Sequence, residues 1–139
     1  EYSSVDQWTP PFDGVDSYTT IAGGAFGPEQ ITWSYTAEPT SGFYSAAISG
    51  AQRLSNGNTL VCEGNSGHFF EVTEGGEVVW SYVSPLTQNG VLSQGEEPGS
   101  QGPQGGGNSV FRAYRYAPDH PAFDGVELVP GDTIETYDK

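Results

Sequence analysis

A chain of 139 residues with 18 acidic side chains against four basic ones carries a net charge of −14. A surface of that sign repels phosphate backbones and anionic headgroups, which argues against nucleic-acid partners and acidic membrane surfaces. It favours a well-solvated exterior, contact with divalent cations, or a salty environment.

The length suits one domain of ordinary size. No apolar run approaches the roughly 18 residues a spanning helix needs, so membrane insertion is not expected. Cys62 is the single cysteine, so no internal disulfide can form, and its place in an apolar run marks it as a buried side chain. The chain opens at Glu1, holds no methionine and has its only lysine at Lys139, which reads as a processed or cleaved product.

In chain order, residues 1–16 carry prolines and a turn but no hydrophobic period. Residues 17–22 are a short strand candidate, broken off by Gly23-Gly24 and Gly27-Pro28. Residues 30–35 form the first clear strand, and residues 38–42 a connecting loop. A meander follows, with strands expected over residues 43–54, 59–63, 68–73 and 78–83. Asn56-Gly57 and Gly75-Gly76 supply the positive φ angles of two-residue hairpins. Residues 86–108 form a long loop whose centre, residues 95–107, is too rich in glycine and proline to fix one conformation by burial. The segment SVFRAYRYA (109–117) reads as a strong strand ended by Pro118 and Pro121. Residues 132–137 read as a last edge strand. No segment has the 3.6-residue period of a helix.

The meander repeats. Thr32-Trp33-Ser34-Tyr35 is echoed by Val79-Trp80-Ser81-Tyr82, with the tryptophans 47 residues apart and a proline after each motif. Periods of roughly 40–50 residues holding about four strands are what β-propeller blades show. The expected fold is therefore all-β: about two antiparallel four-stranded blades of an incomplete propeller, with a small β-sandwich as the alternative. The corresponding division is an irregular segment 1–29, blade sequence 30–84, a Gly/Pro-rich loop 85–108, and final strands with a tail over 109–139. A blade cannot bury both faces alone, so the remaining blades, or copies forming an oligomer or filament, are the expected partners.

The string SGAQRLSNGNTLVCEGNSGHFFEVTEGGEVVWSYVSP, followed by NSVFRAYRYAPDHP, resembles the C-terminal blades of secreted bacterial arylsulfotransferase-like β-propeller proteins. The resemblance covers about residues 30–135 and implies a six-bladed propeller of which this chain covers the last two or so blades. It also implies export, to a secreted, extracellular or periplasmic location. Authentic members pass sulfate between phenolic compounds through a channel histidine, with further His and Arg residues around it.

Candidate chemistry is sparse. His68 reads either as a nucleophile or acid/base on a strand, or as a polar strand residue with a satisfied hydrogen bond. Arg53, Arg112 and Arg115 are the internal cations, suited to oxyanion binding or to carboxylate pairing between strands. Asp13, Asp16, Asp119 and Asp124 sit in loops where Ca2+ would find oxygen ligands, or where they are solvated surface acids. The aromatic residues fall mostly at strand positions, where packing is the default and carbohydrate or partner binding the alternative. The favoured function is a non-catalytic extracellular structural or binding module. The alternative is a piece of an arylsulfotransferase-like enzyme.

Overall fold

The computed structural model describes residues 1–99 and 107–134 of the chain. Among these, regular structure is antiparallel strand with three short 3-10 turns, so the protein is all-β. No helix among the described residues is long and apolar enough to cross a membrane. Backbone contacts group the chain into two units, Glu1–Phe43 and Tyr44–Lys139.

In the first unit, β1 (Ser4–Gln7) pairs with β2 (Trp33–Thr36), placing Val5 opposite Tyr35 and Gln7 opposite Trp33. β1 was not expected, because SVDQ holds one apolar residue and shows no alternation. It is a strand because β2 offers it a partner. The strand expected over 17–22 is instead a single bridge, Phe12 to Tyr18. Trp33 and Tyr35 share one face of β2, with near-parallel rings 6.5 Å apart. Tyr35 and Phe43 are buried, their rings 6.3 Å apart.

The second unit holds the meander: β3 (Ser49–Arg53), β4 (Thr59–Glu63), β5 (His68–Val72) and β6 (Val78–Val83), in that spatial order. The Asn-Gly and Gly-Gly turns close it, but as three-residue loops. Leu54 N–H donates to Asn58 O (2.8 Å), and Thr73 N–H donates to Glu77 O (2.9 Å). Only the last loop residue of each, Gly57 (φ 89°) and Gly76 (φ 86°), takes a positive φ. A two-residue type I′ turn needs two such residues and type II′ needs one at its first position, whereas a type I turn followed by a left-handed residue needs one at the end of the loop, as seen here.

A two-stranded hairpin, β7 (Leu86–Thr87) with β8 (Gly90–Val91), breaks the expected long loop. The centre of that loop lies partly outside the described residues.

Residues 109–117 are not a strand, contrary to their sequence pattern. They form a strap across one face of the meander. Val110 N–H donates to Gly64 O (2.9 Å), and the Gln52 side chain clasps the backbone of Arg115 from both sides (2.9 and 2.8 Å). Backbone groups that would enter a ladder are taken by a side chain and a turn carbonyl, so no ladder forms. Residues 132–134 are likewise not strand, and the rest of that expected edge strand lies outside the described residues.

Register sorts the sheet into two faces. Gln52, Leu60, Glu71 and Trp80 form one row of the first face, with Gly50, Cys62, Phe69 and Tyr82 beside it. The strap crosses this face. The second face carries Val61, Phe70 and Ser81 in one row, with Glu63, His68 and Val83 in the next. Leu60, Val61, Cys62, Phe70 and Val72 are buried and form the core. Each large member contributes about 2 kcal/mol relative to exposure.

Candidate functional site

On the second face, a turn at Gly64–Ser66, closed by Gly67 N–H donating to Gly64 O (3.2 Å), brings the end of β4 against the start of β5. That places Glu63 opposite His68. His68 Nδ1 lies 2.9 Å from Glu63 Oε2, and its Nε2 lies 2.9 Å from Ser81 Oγ on β6. A carboxylate accepts, so Nδ1 carries the proton; in the neutral ring Nε2 then accepts from the serine hydroxyl. The imidazole stacks on Phe70, ring centres 5.2 Å apart.

Glu63 is held from several sides. Burial alone would raise its pKa, but hydrogen bonds from His68 and from the Tyr44 N–H hold it below the usual range. It is therefore ionised at neutral pH and fixes the imidazole's orientation.

Ser81 also lines a cavity of about 340 Å³ between β6 and the loop that follows β8. Val83, Pro85, Leu92 and Pro98 give its apolar part, and Glu96 and Glu97 its acidic edge. The loop is pinned by Ser93 N–H donating to Glu96 Oε2 (2.7 Å).

On the first face, Arg115 reaches from the strap to pair with buried Glu71, and its guanidinium lies 4.5 Å from the Trp80 ring centre. The same carboxylate accepts from Asn58 Nδ2 (2.6 Å) and Asn56 Nδ2 (3.2 Å), which reach back from the β3–β4 turn. Asn58, and then Asn56 and Arg115, hold Glu71 below the usual carboxylate range despite its burial.

The arginines do not gather around one anion. Arg53 donates to Gly57 O (2.7 Å), Arg112 donates to Tyr114 Oη (2.6 Å), and Arg115 pairs with Glu71. None of these partners is His68. Of the loop acids, Asp13 Oδ1 is engaged by the N–H groups of Val15, Asp16 and Ser17, and its Oδ2 by the Ser17 hydroxyl. These bonds, Val15's first, lower its pKa. Asp16 belongs to the same loop. Asp119 and Asp124 flank the short turn Pro121–Phe123, which the His120 ring caps by accepting from Ala122 N–H (3.1 Å). Among the described residues, no group of three or more His, Cys, Asp or Glu is placed to hold a metal ion.

Sequence reasoning singled out His68 as a candidate and did not name Glu63 or Ser81, the two side chains that meet its ring nitrogens. The repeat held one signal: Ser34 and Ser81 occupy the same place in the two Trp-Ser-Tyr motifs. Both serines bond across to the neighbouring strand, Ser34 to Asp6 Oδ1 at 2.6 Å and Ser81 to His68. No protein-family model, curated protein or solved structure matches this chain.

Proposed function

We propose that this chain is a structural or binding module whose β6 side is completed by further blades or by other copies of itself. One observation carries this reading. The two Trp-Ser-Tyr motifs build the same ring ladder, 6.5 Å and 14° for Trp33–Tyr35, and 6.0 Å and 11° for Trp80–Tyr82. Yet Tyr35 is 7 % exposed, whereas Tyr82 is 37 % and Trp80 38 % exposed.

Every residue of β6 is exposed, and VVWSYV carries no charge. An uncharged edge strand whose aromatic side chains stay more than a third exposed beside the strap is a template for further chain. The resemblance to propeller blades supports stacking of like sheets as the form this takes. Export follows from the same resemblance, as an expectation.

Size-exclusion chromatography with light scattering at physiological salt tests the proposal. Assembly beyond 14.8 kDa that is lost in Trp80→Ala supports it. A stable, soluble monomer at that mass overturns it.

A further inference from the structure

We infer that Glu63, His68 and Ser81 form a hydrolytic site in which Ser81 is the nucleophile, acting on small neutral or cationic carboxylic esters. The triad lies on the second face and the aromatic ladder on the first, but both readings use the outer edge of β6, so the site operates in chains whose β6 edge is unpaired.

The three groups come from three adjacent strands and form one hydrogen-bonded chain, with both links at 2.9 Å. The order is carboxylate, imidazole, hydroxyl, which is the order a nucleophile, its base and the group orienting that base require. In the first repeat, Ser34 occupies the same motif position but meets the Asp6 carboxylate, with no imidazole. The repeat thus separates a cross-strand clasp from a clasp fitted with a base.

An acyl group has a place to bind, since Ser81 lines the cavity of about 340 Å³ beside β6. An oxyanion donor is also at hand. Ser84 N–H donates to Gly67 O, so alternation along the β5–β6 ladder turns the N–H groups of Ser81 and Val83 to the outer edge. No strand among the described residues pairs with that edge. The nucleophile's own N–H lies beside the atom that attacks, as oxyanion stabilisation requires.

In the reaction, Ser81 Oγ attacks the ester carbonyl carbon while its proton passes to His68 Nε2. The tetrahedral intermediate collapses, the bond to the alkoxy oxygen breaks, and the leaving alcohol takes that proton. Water then adds to the acyl-serine, giving its proton to His68. Collapse releases the carboxylic acid, and the proton returns to Ser81 Oγ. Substrate charge is set by the surroundings: Glu96 at the cavity edge and a net charge of −14 disfavour anionic esters.

The test uses the whole chain with p-nitrophenyl acetate and a fluorophosphonate probe. The probe is expected to label the peptide containing Ser81 in the folded protein and not after denaturation. Ester hydrolysis should fall about 10²-fold or more in His68→Gln and to background in Ser81→Ala, with Ser34→Ala unchanged. Glu63 is a positioning residue, so Glu63→Gln should lower the rate and shift its pH profile while Ser81 still takes the probe. Wild-type hydrolysis no faster than free imidazole at equal concentration, or a probe adduct mapped elsewhere than Ser81, overturns the proposal. The mapped adduct on the wild type decides it even if a variant fails to fold.

Discussion

Arg115 lies with its guanidinium carbon 4.5 Å from the centre of the Trp80 ring while pairing with Glu71, so one side chain joins the strap to two strands of the meander. Glu71 is buried, so removing its cation leaves a carboxylate that only Asn56 and Asn58 still satisfy. The Arg115 side chain is 38 % exposed, which moderates the loss. Arg115→Ala is expected to cost ~1–3 kcal/mol in urea unfolding, and Arg115→Lys less, because the charge stays while the planar fork is lost. A cost within error of zero would remove the strap's anchoring role.

Asn108 is buried, and its Nδ2 donates to Ser66 O (2.8 Å) and Ser84 O (3.1 Å). It ties the β4–β5 turn to the end of β6. Asn108→Leu keeps similar bulk but leaves the carbonyl of buried Ser84 without this donor, while exposed Ser66 can turn to water, and should cost ~1–3 kcal/mol. Asn108→Asp should cost about as much, since it exchanges a donor for a charge. Thermal unfolding of both variants checks this.

Gly64 is buried between the carbonyl oxygens of Ile48 and Val110, which a Cβ would strike. These are backbone atoms and cannot swing away. Gly64→Ala is expected to destabilise by about 3 kcal/mol or more and to release the strap, seen as faster exchange of the Val110 amide. Gly99→Ala is the control, because nothing lies near its Cβ position.

Stability should fall in acid. Glu63 and Glu71 both have folded pKa values below their ordinary 4.5. A carboxyl lowered in the fold contributes stability that is fully present above its unfolded pKa and lost as pH falls through the folded value. Unfolding free energy should therefore be flat near neutrality and drop below pH 4.5 as each group protonates. In Glu71→Gln the drop should be shallower. An unchanged slope in that variant would show that Glu71 is not among the groups responsible.

The Cys62 thiol is 1 % exposed. Burial pushes its pKa up, against a hydrogen bond from the Ala113 backbone that works the other way. Its reaction with a disulfide reagent at pH 8 should be at least ~10²-fold slower than in urea. Equal rates would mean that the strap does not stay over this face.

The meander was legible because its signals are local. β4 and β6 span the residues expected from their apolar runs, and β5 differs by one. The loop lengths were not legible, because Asn-Gly and Gly-Gly permit both turn types and ladder closure decides between them. SVFRAYRYA was misread for a physical reason: its alternation fits a strand, but no strand edge is its partner, and Gln52 and Gly64 take its backbone groups instead. His68 stood out by residue type alone. Glu63 and Ser81 joined it only through register, a property of paired strands rather than of any one segment.

Asn56 and Asn58 reach from the β3–β4 turn to a carboxylate on β5, so the turn reports on a strand it does not border. If β4 slid by one position, both amides would leave Glu71 and Leu60 would swing to the wrong side. A misaligned hairpin is thus penalised twice over, by wetting an aliphatic side chain and by orphaning an anion. The sheet checks its own alignment with two asparagines, and a chain that has zipped wrongly has reason to open and try again.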